Sequence, residues 1–201
     1  MKPVVACIVE GHGERYAVPL LVRRIAESLP TPVYVEVPPA IRIPRTKLVR
    51  VGELERATKL AVSNVVQSQP AGGGVLILID ADTGCAAQLG PELLARAKSV
   101  ADDVPVEVVL AVMEFEAWFL AALASLRGQR AVRTDAQAPS DPESVRGAKE
   151  ALRRQMTPGS AYSPPTDQPA LAALMDLDAA RAAPSFDKLW RAVAGILSTR
   201  K

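Results

Sequence analysis

Two short apolar runs, each ending in carboxylates, constrain the fold of this chain most strongly. The first run covers residues 3–9 and ends at Glu10; the second covers residues 76–79 and ends at Asp80, with Asp82 two positions further on. Continuous runs of Val, Ile and Leu are typical of parallel strands, which are buried on both faces. Because open parallel sheets form ligand sites at the carboxyl ends of their strands, these acids are predicted to share one site.

The remaining pattern alternates between strand and helix. Strands are predicted over residues 3–9, 33–37, up to Asp80, and 106–112, and helices over residues 14–29, 53–67, 91–100 and 114–126. Residues 40–51 are irregular and basic. This order predicts an α/β fold in which a mostly parallel sheet of about four strands is flanked by helices and joined by right-handed crossovers.

The last third of the chain has a different composition. Residues 127–145 and 157–169 are rich in Pro, Ser, Asp and Thr and are predicted to be loops. Short helices are predicted over residues 144–155, 168–175 and 185–197, with too few large apolar side chains to fold alone. We therefore divide the chain into an α/β core, residues 1–126, and a helical and loop appendage, residues 127–201, packed on the same core as a single domain overall.

The carboxylates suggest metal chemistry. Asp80 and Asp82, two apart on an extended segment, point to the same side and could hold one Mg²⁺ or Mn²⁺ ion through oxygen ligands. Glu10 could join them as a ligand or could transfer protons as a general acid or base. The alternative is that Glu10 and Asp80 only cap strand ends and turns.

Three further side chains are candidates for the same site. His12 stands in the glycine-flanked loop after Glu10 and is a candidate proton shuttle near neutral pH. Glu114 and Glu116 follow the fourth predicted strand, and on a helix two such residues face different directions, so that at most one reaches a metal. We favour Glu116, and we expect Glu114 to offset a helix dipole.

Charge gives a weaker indication of the substrate. The formal net charge is only +2, so no global basic field indicates nucleic acid. Basic residues nevertheless cluster in residues 42–56 and again in residues 127–154, where they could bind phosphates or simply form solvated faces. The candidate phosphate contacts are Arg42, Arg45, Lys47, Arg50 and Lys149, with Tyr162 and Lys188 as further possibilities.

Composition also restricts the compartment. No run approaches the 18 apolar residues of a membrane span, and the N-terminus enters a strand instead of a signal peptide. The two cysteines, Cys7 and Cys85, fit a reducing compartment and do not suffice with one His for a structural zinc site. A cytoplasmic location is expected.

The order Glu-Gly-x-x-Glu after a first strand and Asp-x-Asp after a later one resembles the Toprim domain of topoisomerases, bacterial primases and overcoming-lysogenization-defect nucleases. More narrowly, the chain is similar to small stand-alone bacterial Toprim-like proteins classed as a domain of unknown function. That resemblance covers nearly the whole chain and rests on four motifs: Val9–Gly11 with Glu14, Asp80–Asp82, Glu116–Leu120 and Pro184–Phe186. It implies that Glu10 is the general acid or base and that Asp80 and Asp82 bind magnesium. Glu14, which completes the first motif, is placed with Glu10 and His12 among the candidate catalytic residues.

The function expected from these features is metal-dependent hydrolysis of nucleic-acid phosphodiesters. The resemblance implies work with a separate ATPase, in DNA maintenance or phage defence, and DNA is expected ahead of RNA. A Gly-Lys-Ser/Thr phosphate-binding motif is absent from the sequence. Two alternatives stay open. One is a Toprim-fold binding or regulatory module without catalysis; the other is a haloacid-dehalogenase-type phosphatase, although Gly84 stands where that motif has Thr.

Overall fold

A central sheet of four parallel strands organises the computed structural model, which describes residues 2–48, 50–67, 72–81 and 86–198. The strands are β1 (Val4–Val9), β2 (Ile41–Arg42), β3 (Gly73–Asp80) and β4 (Val106–Ala111), and they lie in the order β2-β1-β3-β4. The predicted α/β class, with a mostly parallel sheet of about four strands, is therefore confirmed.

Helices connect and flank the strands. Their bounds are α1 (Glu14–Ser28), α2 (Arg45–Leu48), α3 (Glu53–Gln67), α4 (Ala86–Lys98), α5 (Ala117–Ala121), α6 (Leu123–Leu126), α7 (Ala148–Arg154), α8 (Pro164–Leu174), α9 (Leu177–Ala180) and α10 (Pro184–Ser198), with a 3₁₀ turn at Pro142–Ser144. In the part of the chain that the structure describes, no helix combines the length and apolar character needed to cross a bilayer.

The two faces of the sheet are covered by different helices. Alternate residues of β1 point to opposite faces, so that Val5, Cys7 and Val9 join one apolar cluster while Ala6 and Ile8 join another. Helices α1 and α10 pack in the first cluster, and α3 and α4 in the second. The C-terminal helix α10 thus lies directly on the sheet. The division of the chain at residue 126 stays a prediction.

The second strand differs from the sequence prediction. Residues 33–37 form a single parallel bridge between Val4 and Glu36, and the strand itself is Ile41–Arg42, inside the segment predicted to be irregular. Pro32, Pro38 and Pro39 surround the predicted strand. Because proline lacks an N–H group, it cannot continue a hydrogen-bonded ladder.

Several helices also differ from their predicted bounds: α7 begins four residues later than predicted, and α8 begins at Pro164, inside the predicted loop 157–169. The predicted helix 114–126 is split into α5 and α6, because Ala122 leaves the helical conformation with φ −92° and ψ 14°. Helix α4 begins at Ala86, ahead of Pro91, which was expected near the first position. In these last two cases the apolar periodicity indicated which residues are buried, but it did not predict where the helix begins or is interrupted.

Candidate functional site

Three of the acids identified in the sequence lie at the carboxyl edge of the sheet. Glu10 follows β1, Asp80 ends β3, and Glu116 lies five residues after β4 as the N-cap of α5. The parallel register sets this arrangement, because Val9 pairs with Leu78 and Asp80 pairs with Ala111. Side chains distant in sequence therefore project from neighbouring strand ends, as the sequence predicted for Glu10 and Asp80.

Glu14 closes the loop between β1 and α1. Its side chain is 3% exposed, and its Oε2 atom accepts hydrogen bonds from the backbone N–H groups of Glu10 at 3.1 Å and Gly11 at 3.0 Å. A side chain on Gly11 would meet the Glu14 carboxylate, so a larger residue there would have to displace that carboxylate. Glu14 therefore fixes the backbone that carries Glu10.

Glu116 receives two hydrogen bonds from the C-terminal part of the chain. Its Oε1 atom accepts one from the Tyr162 hydroxyl at 2.9 Å and one from the Gln168 Nε2 amide at 3.0 Å. Glu116 and Gln168 are both 4% exposed, so these bonds form away from solvent. Tyr162, suggested by the sequence as a phosphate contact, is instead the partner of a buried acid.

Burial makes the charged forms of these acids unfavourable. Removal from water is the main reason that the pKa of Glu14 rises to about 7, and repulsion from Glu10 and Glu116 adds to it against two backbone hydrogen bonds. Burial likewise raises the pKa of Glu116, although Gln168 and Tyr162 stabilise its charge. Within the described chain, no Lys or Arg forms an ion pair with either carboxylate.

Gln168 leaves one polar atom unsatisfied. Its Oε1 atom is buried and receives no hydrogen bond from the residues that the structure describes. The same oxygen and the Pro164 carbonyl lie so close to Gly13 that a Cβ atom there would collide with both. Helix α8 thus packs its first turns against the glycine loop that carries Glu10.

Hydrogen bonds hold Asp80 at its side chain and at its carbonyl oxygen. Its Oδ1 atom accepts a hydrogen bond from the N–H group of Phe115 at 3.0 Å, and its carbonyl oxygen accepts one from Arg45 at 2.5 Å. Asp82, the second predicted ligand, and Cys85 lie outside the described residues. Within the described ranges, no three His, Cys, Asp or Glu side chains are arranged to hold a metal ion. The predicted metal site at this edge therefore stays a prediction.

The predicted phosphate contacts occupy different positions. Arg42 lies on β2 opposite Val9, and its buried Nε atom finds no hydrogen-bond acceptor in the described part of the chain. Lys47 and Arg50 are exposed nearby in and after α2. At Lys149 it is the backbone N–H group that is engaged, donating to Glu114 Oε2 at 2.8 Å. Glu114 therefore caps the first turn of α7.

Two residues remain: His12, which the sequence indicated, and Gln168, which it did not. His12 is exposed in the loop after Glu10, and its part in proton transfer stays a prediction. Gln168 did not stand out, because a single amide in a Pro-rich segment carries no pattern. A buried Glu116 requires hydrogen-bond donors, but the sequence does not indicate which residues supply them.

The fold and site define a class of α/β protein in which acidic side chains converge at the carboxyl edge of a parallel sheet. The profile of a domain of unknown function, DUF4276, matches residues 9–194, and the chain belongs to that family. This agrees with the expected membership in a family of unknown function.

The chain was also compared with curated proteins and with solved structures. No curated protein matches the sequence. Among solved structures, the C-terminal region of the Xanthomonas campestris pv. campestris OLD protein is similar to this chain, with 17% sequence identity and a TM-score of 0.44 over 96% of this chain and 97% of that one. A TM-score of this size lies below the level at which two folds are equated.

Proposed function

We propose that this protein is a metal-dependent nuclease that hydrolyses phosphodiester bonds in nucleic acid. The observation that carries the proposal is the buried pair Glu14 and Glu116 beside Glu10. Like charges that are removed from water are unstable unless protons or a cation neutralise them. This need for positive charge, together with Asp80 at the same edge of the sheet and Asp82 two positions further along the chain, supports the proposal that a divalent cation binds here.

The donor set fits a hard cation such as Mg²⁺ or Mn²⁺. Carboxylates and carbonyl-type oxygens are the ligands these ions prefer. The residues that would hold the ion are Asp80, Asp82, Glu10 and Glu116. The buried Oε1 atom of Gln168, which lacks a donor among the described residues, adds an oxygen to the same neighbourhood. A bound cation would supply positive charge that neutralises phosphate oxygens.

The chain's own side chains would perform the remaining steps. Glu10 would accept a proton from the attacking water or return one to the leaving oxygen. Glu14 would hold the Glu10 backbone in place through its two hydrogen bonds. Phosphates of the substrate would be positioned by the basic residues at the same edge of the sheet, Arg42, Arg45, Lys47, Arg50 and Lys149.

The biological setting is part of the same proposal. The sequence resemblance to Toprim nucleases supports DNA as the substrate and a separate ATPase as the partner, in DNA maintenance or phage defence. The ATPase would act on the nuclease through protein contact.

A nuclease assay with metal-depleted protein tests the proposal. Wild-type protein should degrade single-stranded or duplex DNA when Mn²⁺ or Mg²⁺ is added, and not in EDTA. Glu10→Gln keeps the size of the side chain but removes its basicity, so the rate should fall by roughly 10²-fold or more. Glu92→Gln, an exposed position on α4, is the matched control and should cleave at the wild-type rate.

Two outcomes would contradict this assignment. Equal cleavage by Glu10→Gln and wild type would show that Glu10 is structural. Nucleic-acid binding without metal-dependent cleavage, even with a co-purified ATPase from the native host, would favour the regulatory module without catalysis.

A further inference from the structure

Two side chains from one short stretch of sequence, Tyr162 and Gln168, contact a single oxygen of Glu116. The hydroxyl and the amide both donate to Oε1, at 2.9 and 3.0 Å. No other side chain that the structure describes donates to this carboxylate, which its own backbone N–H group also stabilises. Both side-chain bonds thus fall on one oxygen, although both oxygens of a carboxylate can accept hydrogen bonds.

The segment that carries these donors is itself fixed against the site. The first turns of α8 approach Gly13 so closely that no side chain fits there. Ser163 occupies the N-cap position of α8, and its N–H group donates to the carboxylate of Asp167 at 2.7 Å. Two donors on an anchored segment leave the Glu116 carboxylate little freedom to rotate.

We propose that Tyr162 and Gln168 are positioning residues: they hold Glu116 through Oε1 so that Oε2 is presented to the divalent cation. The proposal rests on the proposed function, because it assigns Glu116 as a metal ligand. Hydrogen bonds to a ligating carboxylate orient it and set metal affinity, and their removal typically costs 10- to 100-fold in affinity. The C-terminal segment is accordingly part of the metal site.

Titration of the metal-depleted full chain with Mn²⁺ alone, followed by calorimetry, tests this role. Tyr162→Phe removes one hydroxyl and keeps the ring, so Mn²⁺ affinity should fall by about 10-fold or more. Tyr34→Phe is the matched control, because Tyr34 is 69% exposed and its ring contact with Lys2 does not need the hydroxyl. Its affinity should equal that of the wild type.

A double-mutant cycle separates positioning from a general structural effect. In a Glu116→Gln background the ligand is already altered, so adding Tyr162→Phe should cost no further affinity. A merely structural hydroxyl would weaken binding by the same factor in both backgrounds. If Tyr162→Phe does not fold, Gln168→Met provides the same cycle, since it removes the other donor to Oε1.

The possible failures can be told apart. If wild type binds Mn²⁺ and Tyr162→Phe binds it equally well, the positioning role is overturned while the nuclease proposal stands. If wild type binds no Mn²⁺, the proposed function fails. Crystal structures of metal-free wild type and the Tyr162→Phe, Gln168→Met double variant then decide the geometric claim, because an unmoved Glu116 carboxylate would overturn it.

Discussion

Glu14 and Glu116 are buried acids, and the charge on Glu116 makes ionisation of Glu14 less favourable. They come from opposite ends of the α/β core, one from the first turn of α1 and the other from the start of α5, yet the charge on Glu116 contributes to the raised pKa of Glu14. Neither forms an ion pair within the described residues. Their proximity makes the stability of the metal-free protein depend on pH in a defined direction.

The first prediction concerns that pH dependence. The pKa of Glu14 is about 7 in the folded protein, against an ordinary value of 4.5. Between these two pH values the folded chain therefore binds more protons than the unfolded chain. The free energy of unfolding therefore falls as the pH rises from about 4.5 to about 7, and levels off above that range. At about 1.4 kcal/mol per pKa unit, the loss is on the order of 3 kcal/mol.

Urea denaturation of metal-free protein at pH 5, 6, 7 and 8 measures this loss. Glu14→Gln should flatten the curve, leaving only the contribution of Glu116, which has the same sign because its pKa is also raised. Glu92→Gln should keep the wild-type curve. An undiminished slope in Glu14→Gln would show that Glu14 is not the group that titrates.

The second prediction concerns the metal ligands. If Asp80 and Asp82 bind the cation, a concentration 100 times the Kd should stabilise wild type by about 2.7 kcal/mol. The double variant Asp80→Asn, Asp82→Asn should lose this gain. It should fold normally without metal, because an Asn at position 80 still accepts the hydrogen bond from Phe115.

Differential scanning calorimetry with and without Mn²⁺ checks the result. The control is Asp102→Asn, Asp103→Asn, which removes the same charge from exposed positions just before β4, at the opposite edge of the sheet. Metal should stabilise this control as much as wild type. A metal-induced shift that survives in the Asp80, Asp82 variant would remove both from the ligand set.

The strand-end acids could be predicted from sequence, because in a parallel sheet the position of a residue along its strand sets the edge at which it lies. Glu10 and Asp80 follow continuous apolar runs, and both stand at the carboxyl edge. The edge strand β2 was predicted at the wrong residues, because an alternating sequence pattern does not show which residues can pair. Residues 33–37 alternate in the way strands do, but prolines on both sides limit their pairing to one bridge.

The donors to Glu116 could not be predicted in this way. Tyr162 and Gln168 stand 46 and 52 positions away from it, in a segment without apolar periodicity. Their contact depends on how α8 packs against α1 and the glycine loop. Sequence spacing alone does not contain that packing.

The third prediction concerns nucleic-acid binding. Lys47 and Arg50 are exposed beside Arg45, which contacts the end of β3. Replacing both with Ala should weaken binding to unrelated DNA sequences about equally and reduce the slope of log K against log salt by roughly 1 to 2, because each phosphate contact releases a counterion. Arg45 is left intact, so that the backbone contact at Asp80 is preserved.

Fluorescence anisotropy with labelled DNA and RNA at several salt concentrations measures these slopes. The matched control is Lys2→Ala, Lys98→Ala, two exposed charges at the amino edge of the sheet, and its slope should equal that of wild type. An unchanged slope for Lys47→Ala, Arg50→Ala would identify the basic segment as an ordinary solvated surface.

The last prediction concerns the close packing of α8 on the loop that carries Glu10. Gly13 has an ordinary helical φ of −73°, so alanine would be acceptable to the backbone, but its Cβ atom would collide with the Pro164 carbonyl and with Gln168. We expect Gly13→Ala to destabilise the protein by about 1–3 kcal/mol, the range for an overpacked site.

Gly195→Ala is the opposite case, since nothing lies within 4 Å of the added methyl group. Removing a glycine from the interior of α10 should stabilise the protein by about 0.5–1 kcal/mol. Chemical denaturation of both variants measures the difference. If Gly13→Ala is as stable as Gly195→Ala, α8 does not press on the glycine loop, and the contact that brings Gln168 to Glu116 is looser than the structure has it.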